Sequence, residues 1–182
     1  MFKGTYTAIV TPFRKGRLDE AALNRLIQLQ IKAGVEGIVP AGTTGESPTL
    51  SIEEQNQVIA WSVRMAGKRI KVIAGTGGNS TAEALELTQA AERAGADASL
   101  QVAPYYNKPT QEGLFQHFRT IARSSRLPMV LYSVPSRCGI EIGVETVQRL
   151  VRECSNVIGI KEAGGNPDRV SRFRSVLGTR FT

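Results

Sequence analysis

The sequence predicts an α/β fold of the TIM (βα)8-barrel class, on three observations. Apolar, strand-like runs recur roughly every 30 residues along the chain, the unit length of a barrel in which ~250 residues make eight βα units. Each run is followed by a segment with helical apolar spacing and its own caps, an alternation that implies a parallel sheet. The first βα turn, Thr11-Pro12-Phe13-Arg14-Lys15-Gly16, lacks the glycine fingerprint that an open nucleotide-binding sheet carries there. Six units are legible, and a seventh strand is expected to begin at Arg180-Phe181-Thr182. Residues 1–182 therefore read as one incomplete barrel domain, cut short after about six βα units.

The first strand spans Tyr6 to Val10, and Asp19 then caps a helix whose Leu23, Leu26, Ile27 and Ile31 share one face before Gly34. The second strand is Gly37 to Ala41. Ser51 with Glu54 fits a capping box at the head of the second helix, and Gly67 stands where that helix should stop. The third unit repeats the design with strand Lys71 to Gly75, capping residues Ser80 and Glu83, and Gly95. The fourth strand, Ser99 to Ala103, precedes a helix opened by Pro109 and Thr110 with Leu114, Phe115, Phe118 and Ile121 inward. Met129 to Ser133 is the fifth strand, followed by Val144, Val147, Leu150 and Val151. Val157 to Lys161 is the sixth, followed by Val170, Phe173, Val176 and Leu177.

Composition excludes several classes of function. No apolar stretch approaches the ~18 residues of a membrane span, and Met1-Phe2-Lys3-Gly4 leads into a strand instead of a signal peptide, so a cytoplasmic protein without a membrane partner is expected. The net charge of +7 is spread among glutamates over most helices. Only Arg169, Arg172, Arg174 and Arg180 form a basic tail, read as solvated surface, and no aromatic-basic platform for nucleic acid is present. Cys138 and Cys154 lack a ligand partner in the sequence and are expected as reduced thiols, with no metal site. The single histidine, His117, is expected to be structural.

In this fold chemistry sits at the carboxyl ends of the strands. Those ends carry Gly42-Thr43-Thr44-Gly45, Tyr105-Tyr106, Tyr132 with Arg137, and Lys161. The set suits carbonyl chemistry on a 2-oxo acid. A glycine-flanked Thr43-Thr44 turn, at the approach to a helix N-terminus, can hold a carboxylate. Lys161, an amine at the rim of a buried strand, should have a pKa lowered by desolvation and can form an imine. Tyr132 and Tyr106 can pass protons, and Arg137 can take a second carboxylate by two parallel hydrogen bonds.

Four motifs, Gly42-Thr43-Thr44-Gly45-Glu46-Ser47, Pro104-Tyr105-Tyr106-Asn107-Lys108-Pro109, Tyr132-Ser133-Val134-Pro135-Ser136-Arg137 and Gly159-Ile160-Lys161-Glu162-Ala163, occur in this order. Together they resemble the dihydrodipicolinate synthase family of pyruvate-dependent Schiff-base lyases. The resemblance implies that Lys161 binds pyruvate as an imine, with no metal or organic cofactor. It makes Thr43, Tyr132 and Tyr106 a proton relay, with Tyr106 supplied by the neighbouring subunit of a homo-oligomer, dimer or tetramer. Thr44, with Gly42 and Gly45 shaping its turn, holds the pyruvate carboxylate, and Arg137 receives the carboxylate of aspartate 4-semialdehyde. Asn79, Glu83 and Tyr105 match positions around an allosteric lysine cleft, while Ile52 and Gln55 stand where inhibited members often have histidines, so weak or absent feedback is expected. Ser133 and Gly164 depart from the family pattern, which usually has asparagine and serine or threonine there. Family members also continue through two further barrel units and a C-terminal helical region.

Overall fold

The computed structural model describes residues 2–179 and 181–182; Met1 and Arg180 lie outside the described residues. The chain runs through β1 (Tyr6–Ala8), a short hairpin of β2 (Phe13–Arg14) and β3 (Arg17–Leu18), and then α1 (Glu20–Lys32). β4 (Gly37–Val39), α2 (Ile52–Ala66), β5 (Lys71–Gly75), α3 (Thr81–Ala94) and β6 (Ala98–Val102) follow. α4 (Gln111–Arg123), β7 (Met129–Ser133), the short α5 (Pro135–Cys138), α6 (Val144–Glu153), β8 (Val157–Glu162) and α7 (Asp168–Leu177) complete it.

Six strands form one parallel sheet in the order β1-β4-β5-β6-β7-β8. That order never reverses, so there is no switch point of the kind that defines a doubly wound sheet. Tyr6, Val39, Ile73, Leu100, Val130 and Ile160, one from each strand, line a single cavity of about 310 Å³. The sheet therefore curls around its own concave face, as a barrel wall does. Alternate residues face outward onto the helices. Ile38 and Val72 pack with Leu23 and Ile27 of α1, and Leu131 and Met129 join Leu114, Phe118 and Ile121 of α4 and Val147 and Leu150 of α6.

The caps explain where the helices start. Asp19 accepts from the Ala22 N–H, Thr110 from Gly113, and Ser51 forms the full reciprocal box with Glu54. At Ser80 only half of the expected box forms: its hydroxyl accepts from the Glu83 N–H, and the return bond is not among the described contacts. Gly67 and Gly95 end their helices in the left-handed region.

The structure departs from the sequence expectations at several points, and β1 already ends at Ala8, two residues before the expected Val10. The first turn is a hairpin, because Lys15 and Gly16 both take positive φ, as a two-residue turn between twisted strands requires. β4 ends at Val39, two residues early, because Ala41 turns to a left-handed φ of 53°. On α7 the inward residues are Phe173 and Arg169; Val170 and Val176 are exposed. Arg169 is thus no solvated surface charge. Where the spacing expects a seventh strand, the Thr182 N–H donates to Ile158 O at 3.0 Å and Ile160 N–H donates to Thr182 O at 2.8 Å, a pairing beside β8; Arg180 of that expectation lies outside the described residues.

Both cysteines are buried and free. No helix among the described residues is long and apolar enough to cross a membrane. His117 is buried on α4, with Nδ1 2.8 Å from Thr81 Oγ1 and Nε2 without a partner among the described residues. Burial pushes its pKa down to about 4. A folded-state value below the unfolded one gives stability that is present above pH ~6.5 and lost as pH falls through about 4. The shift corresponds to about 3 kcal/mol at most. Urea melts at pH 7 and pH 4.5 should show this loss in the wild type, and His117→Gln should flatten it.

Candidate active site

The carboxyl ends of the strands converge on a cavity of about 150 Å³ lined by Gly42, Thr43, Thr44, Tyr132, Arg137 and Lys161, with Ser47, Gly75 and Gly77 beside them. Lys161 reaches it through a slip in the sheet. Met129 faces Val157, but the register shifts by one residue immediately afterwards, so that Val130 faces Gly159 and Tyr132 faces Lys161. Without the slip Lys161 would face Ser133, which points outward and receives the Ile142 N–H on its hydroxyl. One residue of register moves a side chain to the other face of a sheet. The slip thus puts the amine and the phenol on the same side.

Lys161 Nζ lies 4.3 Å from the centre of the Tyr132 ring. The residue is exposed along the flank of β8, yet its ammonium lies against the Tyr132 ring. Desolvation lowers its pKa, and the Arg137 guanidinium lowers it further by repulsion. The expected shift toward a reactive amine is therefore found, with a second cause beyond burial. Arg137 owes its position to α5, which begins at Pro135 and ends at a left-handed Gly139.

The turn after β4 is built by close approach. Gly42 to Glu46 wraps a single 3-10 turn over Thr43–Gly45, with Glu46 at φ 61° and its N–H donating to Thr43 O at 3.0 Å. Thr11 Oγ1 donates to Gly45 O at 2.6 Å and pins the turn from below. Gly45 is buried there and does not line the cavity, in contrast to Gly42. A second 3-10 turn, Ser47–Thr49, separates this loop from α2. The carboxylate cradle expected at a helix N-terminus is therefore a free-standing turn. Gly75 makes it possible: a Cβ there would sit 2.3 Å from Ala41 O and 2.7 Å from Gly42 N.

Tyr106 does not join the cavity of its own chain; it is 91% exposed and has φ 73°. Asn79, Glu83 and Tyr105 form a separate group. Asn79 Nδ2 donates to Tyr105 O at 3.4 Å, and Glu83 helps to raise the Tyr105 pKa after burial, the main cause. Gln55 on α2 donates to Ser47 O at 2.7 Å. Among the described residues no group of three or more His, Cys, Asp or Glu could hold a metal ion.

The family model described as the dihydrodipicolinate synthetase family matches residues 1–182. The chain belongs to this family. A dihydrodipicolinate synthetase relative named 4-hydroxy-tetrahydrodipicolinate synthase, from Persephonella marina, is 53% identical over 176 residues, covering 97% of this chain and 60% of its own. The solved dihydrodipicolinate synthase of Aquifex aeolicus aligns at a TM-score of 0.98 and 48% identity, over 100% of this chain and 62% of that one. The solved 4-hydroxy-tetrahydrodipicolinate synthase of Methylacidiphilum fumariolicum SolV aligns at 0.99 and 54% identity, over 100% and 61%. The chain thus spans about 60% of the length of these relatives. Its six βα units are those of the family's (βα)8 barrel.

The residues that sequence reasoning missed are the supports around Lys161 and its cavity. Gly75 carried no signal beyond closing a strand. In the sequence Glu162 stands only within its motif and Arg169 only within a basic tail, and nothing marks Glu141. All three meet in one ion-pair network behind Lys161.

Proposed function

We propose that this chain carries the pyruvate half-site of a 4-hydroxy-tetrahydrodipicolinate synthase, a class I Schiff-base lyase of the diaminopimelate and lysine pathway. The observation that carries the reading is the Lys161 amine, with its lowered pKa, beside the Tyr132 ring and Arg137 in one small cavity. The free amine adds to the ketone carbon of pyruvate, and the carbinolamine loses water to give the imine. Tyr132, with Thr43, passes the protons of those steps. Thr44 and the Gly42–Gly45 turn hold the pyruvate carboxylate.

Loss of a methyl proton gives the enamine, which attacks the aldehyde of L-aspartate 4-semialdehyde. Arg137 binds that substrate's carboxylate. The substrate's own amine then displaces Lys161 as the ring closes, which regenerates the free lysine. A more apolar cavity of about 410 Å³, lined by Pro48, Val102, Tyr105, Val134 and Cys138, adjoins Thr43 and Arg137 and has room for the second substrate. The exposure of Tyr106 supports its delivery to the site of a second copy, in a cytoplasmic homo-oligomer. Residues 1–182 act as one domain in this reading, without metal or organic cofactor, and with weak lysine feedback at Asn79, Glu83 and Tyr105.

Arg137→Ala tests the substrate assignment. Losing a charged carboxylate contact of about 2–3 kcal/mol should raise KM for aspartate 4-semialdehyde roughly 30- to 100-fold. It should also raise the Lys161 pKa and move imine formation to higher pH. An unchanged KM for this aldehyde, with other aldehydes turned over as well, would point to a relative with a different second substrate. The exposed flank of Lys161 favours a second reading, in which the chain keeps the site residues without completing turnover. Imine formation without product release would select it.

A further inference from the structure

Behind Lys161 lies a charged network that the reaction above does not use. Glu162, next in sequence, points to the outer face of β8, where its side chain is 6% exposed. Its Oε1 accepts from the Gly164 N–H at 2.7 Å, and its Oε2 from Arg169 Nε at 3.0 Å. Arg169, itself 7% exposed, spreads its remaining nitrogens over two more acceptors: Glu141 Oε2 at 2.5 Å and Ile142 O at 2.7 Å. The Phe173 ring, one turn along α7, lies 5.3 Å from the guanidinium carbon.

The network reaches the other site residues in two steps. Ile142 N–H donates to Ser133 Oγ at 3.3 Å, and Ser133 follows Tyr132 on β7. Ala163 N–H donates to Ser133 O at 2.9 Å. One guanidinium therefore ties the end of β8, which carries Lys161, to the segment between α5 and α6 and, through Ser133, to the end of β7. A buried charge of this kind is costly unless each of its bonds is made, and a planar fork with several donors is what can make three at once.

We propose that Arg169 is a positioning residue for Lys161: it clamps the end of β8 to Ile142 and holds the Glu162 and Glu141 carboxylates away from the amine. The proposal rests on the Schiff-base reading for its meaning but not for its test. Of the charged groups on the elements around the amine, Arg137 on α5 is the one that shifts it, while Glu162 on β8, Glu141 before α6 and Arg169 on α7 are tied to one another; the Tyr132 ring on β7 lies against it. Removing Arg169 releases the Glu162 and Glu141 carboxylates from their partner, and a freed carboxylate that turns toward the amine favours the ammonium form of Lys161.

The test is competitive acetylation of the full chain with acetic anhydride across pH 6 to 11, read at the Lys161 peptide by mass spectrometry. Near-UV circular dichroism reports the fold of each variant. Arg169→Gln should shift the Lys161 midpoint to higher pH and lower its labelling at pH 8 by about threefold or more, half a pKa unit. Arg169→Lys keeps the charge and so keeps the fold, but cannot span three acceptors. It should give a smaller shift in the same direction, and it decides the matter if Arg169→Gln does not fold. A folded Arg169→Lys or Arg169→Gln with the wild-type midpoint would overturn the proposal. Borohydride trapping of pyruvate by the wild type, run alongside, reports separately on the Schiff-base reading: its failure there leaves the labelling comparison intact.

Discussion

Lys161→Arg should abolish the pyruvate adduct and reduce condensation by about four orders of magnitude or more, the scale seen when a covalent nucleophile is removed. The substitution is chosen because it keeps the charge over the Tyr132 ring while removing the only form that can react. A guanidinium stays protonated at any usable pH, whereas the wild-type ammonium gives up its proton more readily than an ordinary lysine because burial and Arg137 both oppose its charge. Stability should change little, since the residue is exposed along one flank. The measurement is intact mass after borohydride reduction with pyruvate, together with a thermal melt. Adduct formation in the folded variant would mean that the imine forms elsewhere.

Gly75→Ala should damage both the fold and the site. Its added methyl group would lie 2.3 Å from Ala41 O and 2.6 Å from the Ala41 carbonyl carbon, both backbone atoms that cannot swing aside. Overpacking of this kind costs about 2–3 kcal/mol, or roughly 5–10 °C in Tm for a chain of this size. The displaced atoms belong to the turn that carries Thr43 and Thr44, so pyruvate affinity should fall as well. Gly78→Ala is the control, because nothing lies within 4 Å of its Cβ position; it should melt and bind as the wild type does. Equal behaviour of the two variants would show that the close approach is not what shapes the turn.

The units of the fold are legible in this sequence because each one repeats the same local instructions. Asp19, Ser51 and Thr110 cap where their side chains predict, and Gly67 and Gly95 stop helices in the left-handed conformation that favours glycine. What escapes sequence reasoning is whatever depends on two strands at once. Val157 to Lys161 reads as a strand in any register, and only pairing with β7 reveals the slip that turns Lys161 toward Tyr132. Gly75 likewise looks like an ordinary strand end until the Ala41 backbone lies against it. Arg169 was hidden differently: three neighbouring arginines made it look like one more solvated charge, and its acceptors Glu141 and Ile142 are far away in sequence. Residue identities suggest a type of chemistry, while the supports around Lys161 arise from tertiary packing.

The central claim is that Lys161 is the nucleophile, and one measurement bears on it most directly. The 182-residue chain is incubated with pyruvate, reduced with borohydride, digested and mapped by tandem mass spectrometry. The account predicts one reduced pyruvyl group on Lys161, none on Lys71 or Lys108, and an adduct yield that rises with pH as the Lys161 ammonium deprotonates. An unmodified Lys161, or a modification spread evenly over the surface lysines, would contradict it.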